Sequence, residues 1–66
     1  MWFVYVIKSI HHPFIYVGMT RNVDERLESH NRGLNQSTKH HAPYDLVFFL
    51  AVKTAEKARE LEKYFT

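Results

Sequence analysis

Tyr16-Val17-Gly18-Met19-Thr20-Arg21-Asn22-Val23-Asp24-Glu25-Arg26-Leu27-Glu28-Ser29-His30 changes its periodicity partway along. The aromatic and β-branched start reads as a strand, and Gly18 suits a turn. From Asn22 onward, apolar residues return at helical spacing. Asn22 is a good helix cap, and Glu25 three residues later completes the capping-box pattern. At about 100° per residue, Val23, Leu27 and His30 share one face, with Arg26 at its edge. That stripe should point at a sheet. Two readings of its polar members stand. Arg26 snorkels and His30 is a hydrogen-bonded core residue, or both are held there for chemistry. The helix alone favours the first.

Working toward the N-terminus, Phe14 to Val17 is the second strand of the chain. Trp2 to Ile7 is nearly all aromatic or β-branched, which predicts a strand covered on both faces and therefore central. Lys8 to Pro13 between them is a loop, and so short a link predicts antiparallel pairing. Tyr5 and Tyr16 then lie on neighbouring strands. Toward the C-terminus, the helix should run from Asn22 to about Arg32 and stop at Gly33. Leu34 to Pro43 is polar and reads as an exposed loop. Tyr44 to Val52 is a third strand, and Thr54 caps a closing helix from Ala55 to about Phe65. The expected fold is a small α/β (α+β) domain, residues 1–66, in which a three-stranded antiparallel sheet in ββαβα order is flanked by helices.

The closing helix holds the most informative position. Ala55, Ala58, Leu61 and Phe65 form its apolar stripe, and Glu62 projects between Ala55 and Ala58, inside it. A carboxylate in that place needs a cation, a metal or several donors. From the residues alone, a structural bridge to Arg26 and a functional role stand about even.

Composition sets bounds. Sixty-six residues make one domain, and so small a chain buries only about 60% of its unfolded surface. Aromatic residues make up 15% of the chain, which supplies bulky side chains for a small core. There is no cysteine, hence no disulfide or thiolate metal site. The five histidines are not at ligand spacing. A net charge of +2 and a pI near 9.1 permit a polyanionic partner without demanding one. No apolar run approaches the roughly 20 residues of a membrane span. The first residues lack a basic lead and a small-residue cleavage site, so no signal peptide is expected. A soluble, cytoplasmic protein is the expectation.

Tyr16-Val17-Gly18, then Thr20, then Arg26 eight residues after the glycine and His30 four residues later, resembles the GIY-YIG nuclease family. Val4-Tyr5-Val6 stands where the first half of that motif belongs, and the resemblance runs through nearly the whole chain. It implies a metal-dependent DNA endonuclease, with Tyr5, Tyr16, Arg26, His30 and Glu62 as catalytic residues. The family's metal-binding glutamate follows a small residue by four positions, as Glu62 follows Ala58, and the implied cofactor is Mg²⁺ or Mn²⁺. Tyr16 is implied as general base or water-positioner, with Tyr5 orienting water or phosphate.

The chemistry agrees with those residue types. A cation on a carboxylate neutralises phosphate charge, and an arginine fork suits phosphate geometry. A free tyrosine, with a pKa of about 10, is a poor base near neutrality unless cations lower it or it relays a proton to His30. By the same resemblance Thr20 and Thr38 match commonly polar positions of the family, and with the basic Arg21 and Lys39 they are expected contacts to nucleic acid, of duplex or branched form, in the repair or recombination that the resemblance implies. The ordinary role of the two threonines would be helix entry and loop hydrogen bonding. The His11-His12 and His40-His41 pairs read as loop residues, and Tyr44 and Tyr64 as packing. The motif departs from the family at Val4 and Val6, so only Tyr5 transfers, and Met19 stands where some relatives have a lysine. The competing reading is a catalytically weak nucleic-acid-binding or repair-accessory module with the same fold. A third is a structural domain whose Arg26 and Glu62 form only a bridge.

Overall fold

β1 (Trp2–Ser9) is the middle strand of an antiparallel sheet, with β2 (Ile15–Thr20) on one side and β3 (Tyr44–Val52) on the other. The computed structural model describes residues 1–66, with α1 (Val23–Asn31) between β2 and β3 and α2 (Ala55–Phe65) closing the chain. This is the expected ββαβα order in an α+β fold. The near-continuous apolar run of β1 is explained by its central place.

Register assigns the faces. Tyr5 pairs with Gly18 of β2 and Phe49 of β3, and Ile7 pairs with Tyr16 and Leu46. Tyr5, Ile7 and Tyr44 form the core cluster of that face, and α1 closes it with Val23 and Leu27. The burial of these aromatic and branched side chains is the main stabilising term, at about 1.5–3 kcal/mol each. Val4 and Val6 point the other way and are also buried. There the Phe65 ring of α2 meets Phe48, the register partner of Val6, with centroids 5.5 Å apart. Ala58 of α2 is fully buried. A bulge between Val6 and Ile7 shifts the β3 pairing by a residue.

The ends of α1 follow from single residues. The Asn22 side-chain oxygen accepts from the Glu25 amide at 3.1 Å. The Asn22 amide donates to Thr20 Oγ1 at 3.2 Å, so Thr20 takes the place that Glu25 would hold in a full capping box. At the other end Gly33 has φ of +72°, and the Gly33 and Leu34 amides donate to the carbonyls of His30 and Ser29. This double closure needs a residue that tolerates the left-handed region.

Three expectations are corrected. The second strand begins at Ile15 and continues to Thr20, so Gly18 lies within it and the chain turns after Thr20. The first strand runs on through Ser9, whose hydroxyl donates to the His41 carbonyl at 2.6 Å. The segment from Leu34 to Pro43 is not exposed throughout. It contains a 3-10 turn, Lys39–His41, and Thr38 within it is fully buried. No helix is long and apolar enough to cross a membrane.

Candidate active site

Gly18 makes the site possible. Tyr5 sits opposite it on β1, and the Tyr5 ring leans across the glycine. A Cβ there would stand 2.5 Å from the Tyr5 hydroxyl oxygen and 2.9 Å from Cε2 of Tyr16. Without that atom the two rings approach, their centroids 6.4 Å apart.

α1 lays His30 over the two tyrosines. Its ring is fully buried, 5.1 Å from Tyr16 and 5.8 Å from Tyr5 by centroid. Both ring nitrogens are engaged: Nε2 lies 2.8 Å from the Tyr5 hydroxyl and Nδ1 2.6 Å from Thr38 Oγ1. The Tyr44 hydroxyl donates to the Thr38 carbonyl at 2.7 Å. Asn31, next to His30, accepts from the Tyr44 amide at 2.6 Å and donates to the Tyr44 carbonyl at 3.3 Å. The end of α1, the start of β3 and the Thr38 loop are thereby fastened together.

Charge draws in the remaining two residues. Burial is the main cause that pushes the Tyr5 phenol above its ordinary value, and the charges of Tyr16 and Glu62 push it the same way. The positive charge of the nearby Arg26 guanidinium pulls against them without reversing the direction. Burial holds His30 below the usual histidine range, and the Arg26 charge adds to the effect. Tyr5 and His30 are therefore both neutral near pH 7. Arg26 is exposed on α1, and Glu62 is half-buried on α2. No salt bridge joins the two side chains.

Tyr5, Tyr16 and His30 are thus in direct contact, and Arg26 and Glu62 act on the Tyr5 hydroxyl through their charges. His30 is joined to Tyr5 and not to Tyr16. The residues expected to touch nucleic acid are scattered. Arg21 is exposed, with its guanidinium 5.7 Å from the centre of the Trp2 ring. Lys39 is exposed in the 3-10 turn. Thr20 is occupied locally at the entry to α1. Thr38 is corrected: its side chain is fully buried against His30 and cannot reach a phosphate. A cleft of about 340 Å³ opens at the start of α1, lined by Phe3, Arg21, Asn22, Val23, Asp24 and Phe49. None of the five candidate catalytic residues lines it.

No group of three or more His, Asp or Glu side chains is placed to hold a metal. Glu62 is a lone carboxylate and does not suit a metal that requires a full protein cage, such as structural zinc. It does suit Mg²⁺ or Mn²⁺, because Mg²⁺ keeps several waters and takes one or two carboxylates plus substrate phosphate. Sequence reasoning named Thr38 but missed its contact with His30, and it missed Asn31 and the true role of Gly18. The polar run around Thr38 looks like solvent-facing loop, and nothing local marks the asparagine.

Against known proteins, residues 1–66 match the family model described as the GIY-YIG catalytic domain. No curated protein and no solved structure matches the chain.

Proposed function

The chain belongs to the GIY-YIG catalytic-domain family, a family of nuclease domains acting on nucleic acid, and from that premise we propose a metal-dependent DNA endonuclease. The observation that carries this reading is the 2.8 Å contact between the Tyr5 hydroxyl and His30 Nε2, with Tyr16, Arg26 and Glu62 acting on the same hydroxyl or packed beside it.

Hydrolysis forms a bond from a water oxygen to phosphorus, breaks one phosphorus–oxygen ester bond, and moves one proton off the water. Tyr16, half-buried and the more accessible phenol, positions that water. The proton passes to the Tyr5 oxygen while the Tyr5 proton moves to His30 Nε2. No tyrosinate is needed, but the relay leaves a positive charge on His30 that burial and Arg26 oppose, so the negative charge of the phosphate has to offset it. The exposed Arg26 guanidinium receives the non-bridging phosphate oxygens. Glu62 would hold Mg²⁺ or Mn²⁺ through one carboxylate, the rest of the shell coming from water and phosphate. A metal bound there supplies charge compensation for the phosphate and the leaving oxygen. Arg21 and Lys39 offer a basic rim for the backbone of a duplex or branched DNA, in cytoplasmic repair or recombination.

One observation favours a second reading, a catalytically weak binding or repair-accessory module. The cleft near Arg21 is separate from the five-residue cluster. Incubation with supercoiled plasmid and with branched duplexes, in Mg²⁺, Mn²⁺ or EDTA, separates the two. Nicking that depends on the metal supports the endonuclease, and binding without any cleavage supports the accessory module.

A further inference from the structure

We propose that Thr38 is a positioning residue that holds His30 in the tautomer able to accept the Tyr5 proton at Nε2, and so keeps the Tyr5 hydroxyl pointing at the ring. A neutral imidazole has one N–H donor and one bare nitrogen, and the partner on one side decides what the other can do. His30 is fully buried, with Tyr5 on Nε2 and Thr38 on Nδ1. Tyr5 is buried, and the hydrogen-bond partner of its hydroxyl is His30 Nε2. The Tyr5 proton must then go to an acceptor, and the one at 2.8 Å is Nε2. The tautomer assigned in this way leaves Nε2 bare and puts the hydrogen on Nδ1, for Thr38 Oγ1 at 2.6 Å to accept.

Thr38 is itself fixed. Its amide donates to the Asn35 carbonyl at 3.2 Å, and its carbonyl accepts from the Tyr44 hydroxyl at 2.7 Å. The Tyr44 backbone is clamped by Asn31, the residue after His30. Thr38 and His30 therefore share one closed set of contacts, and the acceptor cannot drift from the ring it orients.

The structural part of this proposal stands on hydrogen bonds alone, and its catalytic consequence rests on the nuclease reading. Thr38→Val keeps the shape and removes the acceptor, leaving a buried Nδ1–H unpaired. The hydrogen should move to Nε2, which then donates to Tyr5 and turns the Tyr5 proton away. Nitrogen-15 NMR of the His30 ring should show Nδ1–H in the wild type and in Thr38→Ser, and Nε2–H in Thr38→Val. In cleavage assays, kcat of Thr38→Val should fall about 10- to 100-fold, the scale on which losing a histidine's partner acts. KM should stay within about twofold, because Thr38 lies beneath the site, and Thr38→Ser should recover kcat. A wild-type ring already in the Nε2–H form, or a Thr38→Val ring still in the Nδ1–H form, overturns the proposal. A shifted tautomer with unchanged kcat overturns its catalytic part. If the wild type cuts nothing, the nuclease reading fails while the ring nitrogens still decide the role of Thr38. Should Thr38→Val not fold, the wild-type tautomer decides alone.

Discussion

A methyl group on residue 18 would stand 2.5 Å from the hydroxyl oxygen of Tyr5. That distance is well inside van der Waals contact, and Tyr5 is a buried ring with no free end to swing aside. The glycine in this motif is required by a side chain on the neighbouring strand, and not by its own backbone, since only Gly33 has a positive φ. It clears the space in which Tyr5 reaches His30 and Tyr16.

Gly18→Ala should accordingly displace Tyr5. Overpacking of this kind costs about 1–3 kcal/mol, a large share of the stability of so small a domain. Urea unfolding of wild type and variant measures it. A Gly18→Ala protein as stable as wild type would mean that the Tyr5 ring does not cross residue 18.

Stability should depend on pH at both ends. Burial lowers the folded-state pKa of His30 below its unfolded value of about 6.5, so the unfolded chain takes up the proton first. This contribution is complete above about pH 6.5 and is lost as pH falls through the window below it. Tyr5 and Tyr44 are raised by burial above about 10, so their contribution is complete below about pH 10 and is lost as pH rises beyond it. Denaturant midpoints across this range test both signs, with His30→Gln as the control for the acid limb. Stability that rises between about pH 6.5 and pH 5 in wild type, relative to His30→Gln, would contradict the buried neutral histidine.

Arg26→Ala should separate chemistry from architecture. Arg26 is exposed and makes no salt bridge within 4.0 Å, so its removal should shift unfolding by only about 0.5 kcal/mol. Losing a donor to transition-state charge costs on the order of 10²–10³ in rate. Urea unfolding and cleavage rates on the same samples check this. A loss of about 3–5 kcal/mol, the cost of breaking a buried pair, with cleavage intact would return Arg26 to a structural role.

Much of the fold was legible because its signals are local or periodic. The aromatic and β-branched run of Trp2 to Ile7 announces a central strand, and β1 is central. Asn22 and Gly33 mark the two ends of α1 through their own backbone chemistry. The site was legible only as a set of residue types. Tyr5 and His30 are 25 residues apart, and their hydrogen bond exists because register and helix placement close on each other. Thr38 lies among polar neighbours that stay in solvent, and its burial depends on Tyr44 and Asn31 pulling the loop inward. Gly18 misled for a similar reason: its local chemistry permits a turn, and the constraint comes from a ring on another strand.

The central claim, that this cluster hydrolyses phosphodiester bonds with a metal held by Glu62, is tested most directly by plasmid nicking with wild type and Glu62→Gln in Mg²⁺. The substitution keeps the volume and removes the charge that would hold the ion. The account predicts nicking by the wild type in Mg²⁺ that EDTA abolishes, and a fall of orders of magnitude in a folded Glu62→Gln protein. Equal cleavage by wild type and Glu62→Gln, or wild-type cleavage that persists in EDTA, would contradict it.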